Sequence, residues 1–267
     1  MLDLTRNVLS LMSRTYPSPQ NAVDIFKTGW VSRLPDVEGV SLKAGEIPLF
    51  DDERIRWANE TSGGFKGMKV LELGPLEGGH SYMLQQMGAD SVLAIEANAR
   101  AYLKCLIAKE IYNLDRCKFL LGDFVQHMKQ TPQTFDYCLA SGVLYHMEDP
   151  VELLALIAKV SDRSMIWTQY YDPAVIRERM PYWKQLRFSS GERLSYQGFS
   201  YIRYKRRYGL GLRSLKFLGG TAAYSSWMTL EDIVAGLKYF GFKQVDIGSH
   251  HPDHPNGPAV CLACSKV

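Results

Sequence analysis

Two acidic residues, each at or near the end of an apolar run, are the positions in this sequence best placed to bind a ligand. Glu72 lies near the end of the apolar run 70–73, which leads into a glycine-containing turn at 74–78. A second apolar run, 92–95, ends in Glu96. In a strand–turn–helix unit the helix start offers free backbone N–H groups, and a carboxylate after the second strand can bind both hydroxyls of a ribose. The spacing therefore predicts a site for a nucleoside-containing cofactor.

The turn after the first run narrows the choice of cofactor. A dinucleotide-binding turn has the pattern G-x-G-x-x-G, whose middle glycine would fall at Leu76, so a nicotinamide cofactor is disfavoured. What remains is an acid at Glu72 followed by Gly74 and Gly78. This pattern resembles motif I of the class I S-adenosylmethionine (AdoMet) methyltransferases, which is usually E/D-x-G-x-G-x-G, and Leu76 departs from that motif as well.

Two later stretches extend the resemblance. The sequence FLLGDF at 119–124 looks like the third strand of that family, with Asp123 as its adenine contact. The sequence FDYCLASGVLYH at 135–146 looks like the fourth strand and the loop after it. GVLYH followed by Asp149-Pro150 is similar to small-molecule methyltransferases of the ubiquinone-biosynthesis type and to enzymes that modify the tRNA wobble uridine. Taken in order, these motifs cover residues 66–171.

The resemblance implies AdoMet as the cofactor and assigns its groups to individual residues. Glu96 is expected to accept hydrogen bonds from both ribose hydroxyls, and Asp123 one from the adenine amino group. Glycines at 74 and 78 would let the backbone approach the methionine part of the cofactor, where a Cβ would clash. The residues expected to contact the cofactor are Glu72, Gly74, Pro75, Gly78, Glu96, Asp123, Phe124 and Ser141.

His146 is the expected catalytic residue. It follows the fourth predicted strand, at the carboxyl edge where open α/β sheets bind their ligands. Near neutral pH a histidine can take a proton from a substrate hydroxyl or amine. The alternative is a structural role, in which the imidazole only holds the loop before the helix that starts at Asp149-Pro150. The residues expected to contact the methyl acceptor are Tyr145, Tyr170, Asp172, Tyr201, Arg203 and Tyr204.

The elements that must position these residues alternate regularly between strands and helices. Strands are predicted at 68–73, 91–96, 117–121, 135–140, 163–169, 243–249 and 259–265. Helices are predicted near 79–87, 99–113, 150–160 and 229–240. This α/β alternation predicts a doubly wound, seven-stranded, Rossmann-like sheet, and the resemblance implies an antiparallel seventh strand.

Four segments are expected along the chain. Residues 1–61 would form a helical N-terminal cover, with helices near 2–15, 22–27 and 51–60. Residues 62–171 would form the AdoMet-binding core, and 228–267 the final helix and the strand hairpin that complete its sheet. The regular alternation stops after the fifth strand, so residues 172–227 are expected to be a substrate-binding insertion.

Charge is unevenly spread over a chain whose net charge is only +3. Residues 172–226 contain 11 Lys/Arg and 3 Asp/Glu, a net charge of +8, which leaves a net charge of −5 on the rest. Aromatic residues are interleaved with these basic ones. Such a surface suits an anionic partner with flat or apolar parts: a phosphorylated metabolite, an RNA loop or lipid headgroups. A solvated basic face is the alternative interpretation.

Composition limits the remaining classes of protein. Five scattered cysteines favour reduced thiols in a cytoplasmic protein, and no apolar run approaches the ~20 residues of a membrane span. His250, His251 and His254 lack the spacing of a metal site, so no metal is expected. We expect methyl transfer to an O or N atom of a small, anionic or aromatic metabolite. An RNA-modifying methyltransferase and a non-catalytic AdoMet-binding partner subunit are the alternatives, and the oligomeric state is left open.

Overall fold

The computed structural model describes residues 12–41, 45–179, 181, 187–213 and 219–267. Its strands are β1 (Lys69–Leu73), β2 (Ser91–Glu96), β3 (Cys117–Leu121), β4 (Tyr137–Ser141), β5 (Arg163–Gln169), β6 (Glu192–Tyr196), β7 (Phe199–Arg207), β8 (Tyr224–Trp227), β9 (Gln244–His251) and β10 (Ala259–Ser265). Its α-helices are α1 (Pro19–Asp24), α2 (Glu53–Thr61), α3 (Gly79–Gln86), α4 (Ala99–Ile111), α5 (Phe124–Gln130), α6 (Pro150–Val160), α7 (Pro173–Arg179) and α8 (Leu230–Tyr239). Short 3₁₀ helices lie at Lys27–Gly29, Leu144–His146 and Gly209–Arg213.

Seven of the strands form one sheet in the order β3-β2-β1-β4-β5-β10-β9. The first five pair in parallel, and β10 runs antiparallel to both β5 and β9. The predicted seven-stranded, Rossmann-like fold is thus confirmed, including the antiparallel last strand. Because the strand order reverses between β1 and β4, the carboxyl ends of these two strands border the crevice in which open α/β sheets bind ligands.

Both faces of the central part of the sheet are covered, so β1, β4 and β10 are buried almost throughout. Leu71 and Leu73 of β1 face a core shared with α5, α6 and α8. Val70 faces a second core shared with α2, α3 and α4. The helices begin at side-chain caps: Asn98, Asp149 and Thr229 each accept a backbone N–H from the first turn that follows.

Helix α5 was not among the predicted helices. Asp123 caps it, accepting hydrogen bonds from the backbone N–H groups of Val125 and Gln126. Phe124 and Met128 are buried in the core on one side of this short helix. The seven residues contain too little apolar periodicity to stand out in the sequence, and their helical form depends on packing against the sheet.

The N-terminal part of the chain packs across the core domain. The expected helices near 22–27 and 51–60 correspond to α1, which begins earlier at Pro19, and to α2. Val23, Phe26 and Trp30 form a small buried cluster against α4. Most of the helix expected at 2–15 lies outside the described residues, because the description begins at residue 12.

Residues after β5 form a second, three-stranded antiparallel sheet in the order β6-β7-β8. The sequence interpretation assigned no regular elements to this insertion. Gln197 and Gly198, both with positive φ, make the two-residue turn between β6 and β7. Phe199 of β7 packs on α8 beside Gly236, so the small sheet is anchored on the core domain.

All five cysteines are buried free thiols, in line with the expectation of reduced cysteines. Within the described ranges no helix combines the length and the apolar character needed to cross a bilayer.

Candidate active site

A cavity of about 1560 Å³ lies at the carboxyl ends of the parallel strands. Its wall combines the turn after β1, the ends of β2 and β4, the start of α5, residues of α2, the end of β7 and the loop 219–222. Typical small-molecule pockets have volumes of about 300–1000 Å³. The cavity therefore has room for two ligands, and eight of the predicted site residues line it: Gly74, Pro75, Glu96, Asp123, Phe124, Ser141, Tyr145 and His146.

The turn after β1 has the conformation of a glycine-rich turn despite its missing glycine. Gly74 has φ +67°, and a Cβ there would lie 2.7 Å from Cγ1 of Val143. Leu76 also has a positive φ, +56°. A left-handed conformation costs a non-glycine residue about 1 kcal/mol, a strain that the surrounding structure holds in place. The departure from motif I at Leu76 thus leaves the turn intact.

Glu96 is buried at the end of β2 and holds this turn. Its Oε2 accepts the backbone N–H of Leu76 at 3.0 Å, and its Oε1 that of Asn98 at 2.7 Å. Burial raises the pKa of Glu96, and the backbone hydrogen bonds oppose that rise. A carboxylate has about four acceptor positions, so its backbone hydrogen bonds leave capacity for a further donor such as a ribose hydroxyl.

Asp123 and Phe124 line the cavity at the start of α5. Asp123 is exposed, and its Oδ1 accepts the cap hydrogen bond from Val125 at 2.7 Å. Its Oδ2 makes no hydrogen bond to a described residue, so that the same carboxylate can cap the helix and bind a ligand. Phe124 is buried beside it and presents an apolar surface for a flat ring.

Two predicted cofactor contacts, Glu72 and Gly78, do not line the cavity. Glu72 is 1% exposed and accepts a hydrogen bond from Ser81 Oγ beneath α3, where burial raises its pKa. Gly78 begins α3 with φ +81°, and a Cβ there would contact the Phe119 ring at 3.4 Å. Glu72 in β1 and Gly78 at the start of α3 both face away from the crevice. They support the strand–helix turn from the side opposite the cavity.

A polar network links Glu72 to the N-terminal cover through His80, which does line the cavity. His80 Nε2 lies 2.9 Å from Asp52 Oδ2, and its Nδ1 lies 3.9 Å from Glu72 Oε1. Asp52 in turn binds the Arg54 guanidinium through Oδ1 at 2.9 Å. The sequence interpretation missed this network because its partners are far apart along the chain.

Five predicted acceptor contacts also lie outside the cavity wall: Tyr170, Asp172, Tyr201, Arg203 and Tyr204. Each has a partner elsewhere. The Tyr170 hydroxyl lies 2.6 Å from His250 Nε2, and Asp172 caps α7 through Ala174 and Val175. The Tyr201 hydroxyl donates to Asp149, Arg203 pairs with Glu192 at 2.8 Å, and Tyr204 stacks on Tyr171 at 3.6 Å.

Arg206 and Tyr208, which the sequence interpretation did not select, occupy the cavity wall instead. Side chains alternate between the two faces of a strand. Arg206 of β7 and Tyr208 just after it therefore reach the cavity, whereas Arg203 and Lys205 lie near Glu192 on the other face. Which face of β7 is turned inward depends on tertiary packing.

His146 lies in the 3₁₀ helix after β4 and lines the cavity. Its Nδ1 is 2.9 Å from the Tyr208 hydroxyl, and its ring lies 4.1 Å from that of Tyr145. Nε2 makes no hydrogen bond to any residue in the described part of the chain. Burial, reinforced by the nearby positive charge of Arg206, lowers the pKa of His146 to about 3. The imidazole is therefore neutral at physiological pH.

Replacing His146 with glutamine is expected to reduce the loss of stability in acid. Because the pKa of His146 in the folded protein lies below its ordinary value of 6.5, only the unfolded chain binds this proton between pH 6.5 and about 3. The stability contribution is complete above pH 6.5 and falls at up to about 1.4 kcal/mol per pH unit in acid. Urea unfolding at pH 7.5 and 5.0 should show wild type losing about 1–2 kcal/mol more than H146Q. Equal losses would contradict the burial of a neutral imidazole.

This structure has the features that define the class I AdoMet-dependent methyltransferases. They are the strand order, the antiparallel β10 and a ligand crevice after β1 and β2. Residues 65–202, more than half of the chain, match a family described as a methyltransferase domain. The chain belongs to this methyltransferase-domain family. AdoMet is accordingly its methyl donor. No curated protein matches the sequence.

Solved structures with the same fold include enzymes that act on diverse acceptors. The N-terminal domain of EvdMO1, crystallised in the presence of S-adenosylhomocysteine (SAH) and D-fucose, is 20% identical, with a TM-score of 0.68 over 92% of this chain and 94% of that one. The 1,6-didemethyltoxoflavin-N1-methyltransferase of Burkholderia thailandensis is 14% identical, with a TM-score of 0.53 over 82% and 79% of the two chains. The magnesium protoporphyrin IX methyltransferase of Synechocystis PCC 6803 is 16% identical, with a TM-score of 0.52 over 81% of each. These likenesses are of fold.

The residues around the first turn fit AdoMet. Gly74 lines the cavity with bare backbone, because a Cβ there would clash with Val143 Cγ1 at 2.7 Å. Glu96 has acceptor capacity for a ribose, and Asp123 a carboxylate oxygen with no hydrogen bond to the described residues. Two carboxylate acceptors around an apolar Phe124 suit a nucleoside, whose sugar hydroxyls and base amino group are the complementary donors.

Proposed function

We propose that this methyltransferase transfers the methyl group of AdoMet to an oxygen or nitrogen atom of a small metabolite. The observation that carries this proposal is that one cavity contains both the residues expected to bind the cofactor and the residues suited to bind an acceptor. Gly74, Glu96 and Asp123 line it on the cofactor strands, and His146 and Tyr208 line it beside the insertion. Its volume of about 1560 Å³ accommodates a nucleoside cofactor together with a second, smaller molecule.

The cofactor residues have separate roles in this proposal. Glu96 accepts hydrogen bonds from the ribose hydroxyls, and Asp123 accepts one from the adenine amino group. Phe124 packs on the adenine ring, while Gly74, Pro75 and Ser141 border the methionine part. Bound AdoMet supplies a methyl group on a positively charged sulfur, and this sulfur is a good leaving group because it departs as a neutral thioether. The protein therefore mainly has to align the acceptor atom with that methyl group and exclude water.

His146 and Tyr208 act on the acceptor. In the proposed tautomer Nδ1–H donates to the Tyr208 hydroxyl oxygen, which leaves Nε2 to accept a hydrogen bond from the acceptor O–H or N–H. A pKa of about 3 makes His146 a weak base in the absence of ligand. We therefore assign His146 a positioning role. It also removes the acceptor proton when the bound acceptor raises the pKa of the imidazole.

The surrounding segments enclose the reaction. Arg54 and Trp57 of α2 line the cavity from the cover segment 1–61, and Trp57 packs against β9 at Gly248. Tyr145 and the insertion segment 172–227, through Arg206 and Tyr208, form the wall for the acceptor. The core segments 62–171 and 228–267 provide the strand ends.

Other proteins with this fold support a small acceptor. EvdMO1 was crystallised with D-fucose, and two further neighbours are named for methylating a toxoflavin precursor and magnesium protoporphyrin IX. The GVLYH motif at 142–146 adds the similarity to ubiquinone-type enzymes. Its similarity to tRNA-modifying enzymes keeps RNA as an alternative acceptor, which the following experiment distinguishes.

Calorimetric titration with AdoMet, SAH and NADH tests the cofactor site. We expect micromolar binding of the two sulfur nucleosides and none of NADH; failure of both to bind would overturn the proposal. Transfer of labelled methyl groups to a metabolite extract and to total tRNA then tests the acceptor. Label in small molecules supports the proposal, whereas label in tRNA with a steep dependence on salt would establish the alternative.

The role of His146 is tested with the acceptor found in this way. H146Q should lower kcat about 100-fold and leave SAH affinity unchanged. H127Q is the matched control, because His127 lies on α5 outside the cavity wall. An unchanged kcat in H146Q would remove His146 from the mechanism.

A further inference from the structure

Arg206 stands out in the cavity wall because its charge has no local counterpart. Its guanidinium lies over the rings of Trp227 and Phe188, 5.1 and 6.0 Å from their centroids. Within the described ranges, no carboxylate approaches it to 4.0 Å. Burial lowers the pKa of Arg206; Tyr208 opposes this shift, and the neighbouring cation Arg187 adds to it. A partly buried cation of this kind is costly unless a partner arrives.

The acidic residues of the cavity wall are engaged elsewhere or exposed. Glu96 binds the first turn, and Asp149 caps α6 and accepts from Tyr201. Glu152 pairs with Lys129 and Glu53 with Arg56, whereas Glu148 and Asp123 are exposed, with Asp123 also capping α5. The other arginine of the wall, Arg54, is neutralised by Asp52. Arg206 thus supplies an uncompensated positive charge inside the cavity.

We propose that the methyl acceptor carries an oxyanion, a carboxylate or a phosphate, that binds to Arg206. This inference rests on the proposed function, since it places the anion in the acceptor part of that cavity. A guanidinium presents a planar fork of donors that matches both groups with two parallel hydrogen bonds. Trp227 and Phe188 hold the fork in one orientation, so little side-chain entropy is lost on binding.

Binding of the anion would also act on His146. Arg206 is one of the two causes that lower the pKa of His146, the other being burial. An oxyanion on the guanidinium offsets that positive charge and raises the pKa of His146 toward its ordinary range. An anionic acceptor therefore makes the histidine a better base at the moment of reaction, and a neutral analogue does not.

Matched probes test the proposal by calorimetry on the intact protein, with and without saturating SAH. The probes are 4-hydroxybenzoate, phenyl phosphate and the neutral methyl 4-hydroxybenzoate. We expect at least one oxyanion to bind about tenfold more tightly than the ester, and the two anionic arms identify the preferred group. R206Q should abolish this preference and R206K should retain part of it. R207Q is the matched control, because Arg207 is the exposed neighbour on the same strand.

Three results would overturn the inference: no oxyanion binding, equal binding of the ester, or an oxyanion preference that survives in R206Q. Thermal unfolding reports whether R206Q folds. If R206Q does not fold, the test uses R206K, which keeps the charge and should retain only part of the oxyanion preference. SAH titrations separate the two proposals. Wild type that binds oxyanions through Arg206 and not SAH would refute the proposed function alone, and SAH binding without anion preference would refute this inference alone.

Discussion

Replacing Glu96 with alanine is expected to weaken SAH binding about 100-fold while the protein stays folded. The carboxylate lies at the end of β2 and is proposed to accept two ribose hydroxyls, and each charge-assisted hydrogen bond contributes about 1.5–3 kcal/mol. The same side chain holds the N–H groups of Leu76 and Asn98, so its loss also loosens the turn beneath the cofactor. Calorimetric titration with SAH measures the effect.

Two further variants make this result interpretable. E96Q keeps one acceptor oxygen and should recover part of the affinity, whereas E60A removes an exposed acid of α2 outside the cavity wall and should bind SAH normally. Thermal unfolding of each variant reports its stability. Wild-type affinity in a folded E96A protein would show that Glu96 does not bind the ribose.

The second large effect concerns the ion pair that fixes the cover segment to the cofactor turn. Glu77 is fully buried and lies 2.6 Å from Lys104 Nζ. Its carboxylate also accepts the backbone N–H groups of Val31 and Ser32, at 3.0 and 2.8 Å. Lys104 additionally donates to the Gly29 carbonyl and lies near the Trp30 ring. The pair thus joins α4, the first turn and the N-terminal segment.

Replacing Lys104 with methionine should lower the free energy of unfolding by about 3 kcal/mol, because it leaves a buried carboxylate without its partner. For a chain of this size that corresponds to a fall in Tm of about 6–12 °C. Thermal and urea unfolding measure the change, with K159M, on the exposed side of α6, as the control. The double variant E77Q/K104M should recover part of the loss. An equal loss in the single and double variants would assign the effect to packing rather than charge.

The predicted elements agree best with the structure where the signal is local. β2, β3 and β5 coincide with the predictions residue for residue, because their apolar runs are bounded by turns. The signal for the start of α6 is also local, since Asp149 and Pro150 form the N-cap and the N1 proline that are typical of a helix start. α5 was missed because its seven residues contain too little apolar periodicity to indicate a helix, although Asp123 caps it as well as lining the cavity.

The sequence by itself determined the cofactor class and the place of three residues that we propose to bind the cofactor. Gly74, Glu96 and Asp123 lie at or just after the carboxyl ends of β1, β2 and β3, and the carboxyl ends of parallel strands meet at one edge of the sheet. Their positions therefore follow from chain order alone. Glu72 is the exception, because its place within β1 puts it on the face covered by α3.

Only the tertiary structure decided which residues of the insertion line the cavity. In β7 a basic or aromatic side chain stands at nearly every position, so composition cannot tell which face is turned inward. The pairing of β7 with β6 and β8, and the packing of Phe199 on α8, set that choice. They place Arg206 and Tyr208 in the cavity and Arg203 and Lys205 on the other face, near Glu192. A strand's period of two makes the opposite assignment equally consistent with the sequence, and only long-range contacts remove that ambiguity.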